Sequence, residues 1–291
     1  MTEPAVPPVA VGSELRAATD RLAAAGVGSA RVDAELLLAH LLAMPRTRLP
    51  LVPALTAAQA AGYAELIARR STGVPVQHLT GRAPYRHLEL AVGPGVFIPR
   101  PETELIVELA ADRLADATLT ADLCAGSGAI ALAVAQEYPA TACYAVERDP
   151  AALRWLRRNA AERAGAGDRP ITVVAADITE PNLLAGPAGS FDVVLSNPPY
   201  VPAAMRAQLG PEIGHDPDQA VFAGPDGLRL MPAVLAAAAR LLRPGGLLVL
   251  EHDASHGQAL PRLLRAAGAW RQVADRPDLA GRPRFALAVR S

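Results

Sequence analysis

Residues 121–135 read ADLCAGSGAIALAVA: an apolar run, a turn of small residues from Cys124 to Gly128, and an alanine-rich stretch of helical character. Such a segment predicts a strand, a tight turn and a helix. Glycines let backbone approach a ligand closely, and the free amides of a first helical turn suit an anion. Taken alone, Cys124, Ala125, Gly126, Ser127 and Gly128 are equally well an ordinary strand-to-helix connection. No Gly-Lys-Ser/Thr follows, so this is not a phosphate loop, and the spacing is not G-x-G-x-x-G.

Working outward, the chain beyond about residue 118 alternates strand and helix. The strand candidates are TLTADLC, TACYAVE, ITVVAAD, FDVVLSN, GGLLVLE and RFALAVR, and the helices AIALAVAQEY, AALRWLRRNAAERAG and LMPAVLAAAARLL lie between them. Near-continuous apolar strands alternating with helices imply an α/β fold with a mostly parallel sheet covered on both faces. Ligands in such sheets sit at the carboxyl ends of the strands. Residues 12–72 differ, with three amphipathic helices and no strand signal. The first starts on Ser13 as a cap and stops at Gly26. The second places Val32, Leu36, Leu37, His40 and Leu41 on one apolar face, which makes His40 a core or interface residue. The third runs from Thr56 to Gly73. The boundaries predicted are a helical domain over 1–78, a connecting hairpin or linker over 79–98, and a sheet domain over 99–291. Pro101 opens a helix at its first position.

A 291-residue chain that is 51% apolar can build a sizeable core. Its formal net charge of −1 argues against a duplex-binding protein, which gains most of its affinity by neutralising phosphates. Cys124 and Cys143 make no disulfide framework, and the six histidines form no ligand-spaced cluster, so no metal is expected. Without a basic, apolar leader or a long apolar run, the expectation is a cytoplasmic protein with no membrane span.

Three strand ends carry the remaining chemistry. Glu147 ends the second strand, where a carboxylate can accept both hydroxyls of a ribose. The competing reading is a solvated loop charge, and Asp149 before Pro150 is the better helix cap. At the third strand end, Asp177 could meet an adenine amino group and Ile178 could cover its ring, with a plain loop aspartate as the alternative. Ribose and base positions without a phosphate site point to an adenosyl ligand such as S-adenosylmethionine. The fourth strand ends in Asn197-Pro198-Pro199-Tyr200. The Asn197 side chain and the Pro198 carbonyl offer two acceptors for the hydrogens of a planar NH2 group, and Tyr200 offers a flat wall. Gripping those hydrogens favours a pyramidal nitrogen and frees its lone pair. Orientation then supplies most of the catalysis, and the cofactor supplies the methyl group.

Together these residues resemble the class I S-adenosylmethionine-dependent methyltransferases acting on planar nitrogens. More closely, GVPVQHLTG, VFIPRPETELIVELA, NPPY and PDGLRLMPAVLAAAARLLRPGGLLVLEHDASHGQAL resemble the release factor glutamine methyltransferases, the PrmC/HemK family. That resemblance implies a Rossmann-like, seven-stranded sheet behind a helical docking domain. It implies methylation of the glutamine in the Gly-Gly-Gln motif of translation release factors, by a monomer that binds no nucleic acid directly. Asn197, Pro198 and Tyr200 would be catalytic, and Asn197 to Tyr200 would hold the substrate. Cofactor contacts would come from Cys124 to Gly128, Glu147, Asp177, Ile178 and Asn197, with Tyr85 closing on the cofactor. Arg100, Glu102 and Thr103 would line or brace the site. Two departures stand out: Cys124 replaces the family's usual glycine, and Asp216-Pro217 replaces its usual Glu-Pro. NPPY is shared with adenine-N6 nucleic-acid methyltransferases, which remain the alternative reading.

Overall fold

A computed structural model describes residues 9–291; residues 1–8 of the predicted 1–78 domain lie outside the described residues. The chain forms two compact units, one of residues up to Arg82 with Gly210–His215, the other of Ala83–Leu209 with Asp216–Ser291.

In the first unit, β1 (Val9–Ala10) pairs antiparallel with β2 (Ala54–Leu55), a ladder too short for sequence periodicity to show. Around it lie α1 (Val11–Ala24), α2 (Ala30–Leu41), α3 (Ala57–Ser71) and α4 (Val76–Thr80). Leu15, Leu22, Leu37, Leu38, Tyr63 and Ile67 form its core. Thr56 caps α3 where the sequence starts that helix, and it does so in a capping box with Gln59 as its reciprocal partner. Ser13 is not a cap: α1 starts two residues earlier, and the Ser13 hydroxyl donates back to the Ala10 carbonyl. The predicted face of α2 is only partly right: Leu37 is buried as expected, but Val32, Leu36 and His40 are exposed, and the helix buries Asp33, Ala34 and Leu38 beside Leu37. The cause is an ion pair: Arg70 Nε donates to Asp33 Oδ2 at 2.7 Å, and Arg70 also pairs with Glu212. A paired aspartate can occupy the core side of a helix, and that rotates the apolar stripe.

The second unit opens with a hairpin of β3 (Arg82–Tyr85) and β4 (Leu88–Ala91). A single 3-10 turn over Pro101–Glu104 leads into α5 (Leu105–Leu114). Then come β5 (Leu119–Leu123), α6 (Ala129–Glu137), β6 (Ala142–Glu147), α7 (Pro150–Gly165), β7 (Thr172–Ala175), β8 (Phe191–Ser196), α8 (Asp218–Val221), α9 (Met231–Leu241), β9 (Leu242–Glu251), α10 (Ala259–Ala266), β10 (Trp270–Pro277) and β11 (Pro283–Arg290). The seven-stranded sheet has the order β10-β11-β9-β8-β5-β6-β7 and is parallel except for β11, which runs antiparallel to both neighbours. β10 is the strand the sequence reading missed. WRQVADRP lies at the sheet edge and is mostly solvated, so it lacks the apolar run of a central strand.

Side-chain alternation divides the sheet between two cores. Val193, Leu195 and Val249 face α5, α6 and α7, whereas Val194, Leu248 and Leu250 face α9 and α10. The chain leaves β5 in opposite directions, to β6 and β7 on one side and to β8 and β9 on the other. That reversal opens a crevice at the carboxyl ends of β5 and β8. No helix among the described residues is long and apolar enough to cross a membrane.

Asn159 of α7 joins the hairpin to the glycine turn. Its Oδ1 accepts from Ala91 N at 2.8 Å, and its Nδ2 donates to the Ala91 and Ser127 carbonyls. Asn159→Ala strands these buried groups and should lower stability by about 2–3 kcal/mol in urea unfolding, since each unpaired buried group costs on the order of 1–3 kcal/mol. A loss below about 0.5 kcal/mol, the scale of an ordinary surface substitution, would contradict this clamp.

Candidate active site

Three residues of the glycine turn take left-handed backbone conformations: Cys124 at φ 64°, Gly126 at 57° and Gly128 at 87°. A Cβ on Gly128 would stand 2.5 Å from Leu156 Cδ1, so glycine is required there by space as well as by conformation. Cys124, which stands where the family pattern has glycine, keeps the glycine-like geometry and carries the strain. Its half-buried thiol is pushed up, chiefly by burial, which makes it a packing group rather than a nucleophile.

Glu147 stands at the tip of β6 with both oxygens held by backbone. Oε2 accepts from Gly126 N at 2.9 Å, and Oε1 accepts from Arg148 N and Asp149 N, both at 2.8 Å. A carboxylate has about four lone-pair sites, so this one keeps acceptor capacity toward the cleft. Asp149 caps α7 through Ala151 N and Ala152 N, as its place before Pro150 suggested. Beneath the turn, Asp122 is fully buried and its Oδ1 finds no partner. Burial pushes its carboxyl up to about 8, despite the Ala131 N–H donated to Oδ2.

One cleft of about 1160 Å³, open mouth included, gathers most of the predicted residues. Cys124, Ala125, Gly126 and Ser127 form its floor, Glu147 and Ile178 its side, and Asn197, Pro198, Pro199 and Tyr200 its far end. Three predicted residues do not reach the wall. Gly128 sits behind it as the start of α6. Asp177 turns to Arg148 Nη1 at 2.8 Å and to Thr179, which satisfy it and hold its carboxyl below its usual range; Ala176 and Ile178 line the cleft in its place. Tyr85 does not close on the cleft: its ring is buried in the core and its hydroxyl donates to the Thr103 carbonyl at 3.1 Å. Besides Tyr200, the aromatic that lines the cleft is Phe97, which sequence reasoning passed over. Its place in the apolar GVFIP run ahead of Arg100 was the available signal.

Of the three bracing residues, only Thr103 lines the cleft. Arg100 pairs with Asp216 and lies over the Phe97 ring at 5.2 Å, while Asp216 Oδ1 accepts from Ile98 N at 3.1 Å. An aspartate therefore makes the brace where the family pattern has glutamate. Glu102 does not reach the wall.

Asn197 Nδ2 donates to Thr103 Oγ1 at 3.0 Å, and the Tyr200 hydroxyl donates to Glu251 Oε1 at 2.7 Å. Glu251 ends β9 and has no exposed surface; burial pushes its carboxyl up to about 7, against the hydrogen bond it accepts from Tyr200, and its Oε2 finds no partner. Glu251 carries no signal in the sequence, because a strand-end acid has no pattern of its own. The neighbouring His252 points away, to Asp275 Oδ2 and the Asp253 carbonyl, both at 2.8 Å. No group of three or more potential metal ligands occurs among the described residues.

Two family models match the chain: the PrmC N-terminal domain over residues 14–81 and the methyltransferase small domain over residues 90–213. Two relatives named release factor glutamine methyltransferase, from Mycolicibacterium smegmatis and Streptomyces coelicolor, are each 46% identical; each alignment covers 95% of this chain and 96% of the relative. Among solved structures, the catalytic domain of hMettl16 in complex with MAT2A 3′UTR hairpin 6 superposes with a TM-score of 0.56 at 15% identity. That alignment covers 78% of this chain and 82% of the other, and it speaks for the fold alone.

Two outcomes follow from the strained turn and the acid below it. Cys124→Gly should raise unfolding stability by about 1 kcal/mol, because glycine takes left-handed φ without the penalty a Cβ incurs. A destabilised variant would mean the thiol's packing outweighs the strain. Asp122 holds its proton up to about 8 in the folded chain and releases it at 3.8 when unfolded. Its contribution is therefore complete below the lower value and is lost as pH rises toward the upper one. Urea melts of Asp122→Asn should show a flatter decline across that window than the parent; parallel profiles would contradict the shift.

Proposed function

The chain belongs to the release factor glutamine methyltransferase family, and we propose that it transfers a methyl group from S-adenosylmethionine to the side-chain amide nitrogen of the glutamine in the Gly-Gly-Gln motif of translation release factors. The observation that carries this reading is the polarity of Asn197. Its Nδ2 is engaged by Thr103, so Oδ1 is the group it offers to a donor in the cleft. The donor that fits an Asn197 Oδ1 and a Pro198 carbonyl is a planar NH2 group.

The residues present suit the cofactor. Gly126 leaves a cradle open to the cleft that a Cβ would fill and strain, the first amides of α6 suit a carboxylate, and Glu147 suits a ribose. Phe97, Ala176 and Ile178 give apolar cover for a flat base. When bound, the cofactor supplies an electrophilic methyl group on a sulfonium.

The chain supplies position. Asn197 Oδ1 and the Pro198 carbonyl hold the two amide hydrogens, which weakens conjugation of the nitrogen lone pair with its own carbonyl. The proline pair keeps both acceptors stiff. Tyr200 forms a wall and limits water at the nitrogen. No residue has to remove a proton first, because the nitrogen becomes acidic once it carries the methyl group. Holding the amide in a reactive pose accounts for the catalysis, and small misplacements are correspondingly costly.

The helical unit is proposed to dock the release factor, and a protein acting on release factors works in the cytoplasm, here as a monomer. An adenine-N6 methyltransferase would use the same NPPY, but the match over residues 14–81 and the net charge of −1 favour a protein substrate. The deciding measurement incubates the protein with labelled S-adenosylmethionine beside purified release factor and duplex DNA. Label should appear on the Gly-Gly-Gln glutamine and nowhere on the DNA. Asn197→Ala should lower turnover about a hundredfold, the scale of a misplaced reactant, with cofactor affinity nearly unchanged in calorimetry. Label on the DNA alone, or full turnover by that variant, would overturn the proposal.

A further inference from the structure

The two prolines of Asn197-Pro198-Pro199-Tyr200 stiffen the chain up to Tyr200 and leave the dihedral angles of Tyr200 itself unfixed. Its ring is held at the tip: the hydroxyl donates to Glu251 Oε1 at 2.7 Å, and Arg284 Nη1 approaches the same oxygen at 3.4 Å. Its main chain is held by other groups. Gly227, at φ 78°, packs so closely that a Cβ on it would stand 2.2 Å from the Tyr200 carbonyl oxygen. The same Cβ would stand 2.9 Å from His256 Cε1 and 3.1 Å from His256 Nε2. Gly227 therefore lies against both the Tyr200 carbonyl and the imidazole. His256 is buried, and its Nε2 is 2.8 Å from the Asp226 carbonyl; a carbonyl can only accept, so Nε2 is the donor. His256 Nδ1 finds no partner among the described residues, so the bond to Asp226 is the ring's polar tie. Asp226 shapes the same turn through Oδ1, which accepts from Leu228 N at 3.0 Å. Beyond Tyr200, Val201 N donates to the Val221 carbonyl at 2.9 Å, and Ala223 N donates to the Val201 carbonyl at 3.1 Å.

We infer that His256 is a positioning residue for methyl transfer: through the Asp226 carbonyl it holds Gly227 against the main chain of Tyr200, while Glu251 holds the hydroxyl, so that the Tyr200 ring is fixed at both ends beside the substrate nitrogen. This rests on the methyl-transfer reading of the cleft. Neither His256 nor Gly227 lines the cleft, so both act through Tyr200. One short stretch of chain supplies both grips: Glu251 closes β9, and His256 closes the 3-10 turn over Ala254–His256 that follows. The Asp253 side chain caps that turn, accepting from Ser255 N at 2.9 Å, and so sets His256 relative to the strand end. Gly227 is required for space as well as for its left-handed backbone, because any side chain there would push the Tyr200 carbonyl or the imidazole away. The wall has to stay still because the attacking nitrogen must meet the methyl–sulfur bond in line, and a ring free to swing would widen the approach.

The experiment compares His256→Leu, His256→Gln and Gly227→Ala with the parent chain. Leucine fills much of the imidazole's space without a donor; glutamine places an amide N–H near the position of Nε2. If His256 served packing alone, leucine would do as well as glutamine. The inference requires otherwise. His256→Leu and Gly227→Ala should lower kcat about tenfold, as a modest misplacement at the reacting centre does, with S-adenosylmethionine affinity unchanged in calorimetry, while His256→Gln stays close to the parent. A second readout needs no turnover. The chain has five tyrosines, so fluorotyrosine labelling gives a small set of fluorine resonances, and the one lost in Tyr200→Phe belongs to Tyr200. That resonance should shift and broaden in His256→Leu and Gly227→Ala and keep its parent position in His256→Gln. Parent kcat with an unmoved resonance in His256→Leu, or a His256→Gln chain that falls as far as His256→Leu, would overturn the inference. A parent chain that leaves release factor unlabelled while the resonance follows the expected pattern would instead overturn the substrate reading and leave the two-ended hold on Tyr200 standing.

Discussion

In the central sheet, β5 lies between β6 and β8 in one register, with Leu123 opposite Val146 on one side and Ser196 on the other. Every group in the cleft follows from that alignment. It brings the glycine turn, Glu147 and Asn197 to one level at the carboxyl ends of three strands. A slip of one residue would exchange the two faces, moving Val193 and Leu195 to the α9 side and Val194 to the α6 side. Both faces are buried, so such a slip would also misfit two packed cores. Packing against helices on both sides is thus what holds the reacting groups in line.

The site is also where the molecule accepts unfavourable local choices. Cys124 holds a left-handed backbone with a Cβ attached. Asp122 and Glu251 are fully buried acids, and one Asp122 oxygen has no partner. These features persist because the surroundings over-determine them. Asn159 fixes the turn from behind, Glu147 is gripped by three backbone N–H groups, and the Tyr200 hydroxyl holds Glu251. Local consistency is relaxed at the reacting end of the sheet and kept strict in the two cores.

Much of this was legible in the residue order, for reasons that can be named. Apolar runs as continuous as FDVVL and LLVLE mark strands buried on both faces, and Gly126 and Gly128 punctuate the turn between β5 and α6. Asn197-Pro198-Pro199-Tyr200 is readable because stiff residues at a strand end have few structural uses. The misreadings share another cause, a long-range partner that local pattern does not contain. Asp33 lies on the core side of α2 because Arg70 meets it from a different helix. Asp177 turns from the cleft because Arg148 offers a closer charge. Tyr85 is buried because its hydroxyl finds the Thr103 carbonyl. β10 was overlooked because an edge strand is half solvated and does not look apolar.

By itself, then, the sequence determined the alternation of strands and helices, the placement of glycine where a Cβ would collide or strain, and the acceptor pair proposed to answer a planar NH2 group. These are local properties, set by residue type and spacing along a few positions. Only the tertiary structure decided which way the Asn197 amide turns, which aromatic lines the cleft and which acid stands behind it. Those outcomes depend on partners such as Thr103 for Asn197 and Glu251 for Tyr200, far apart in the chain and adjacent only once the sheet has closed, because a hydrogen bond has direction and needs both of its ends in place.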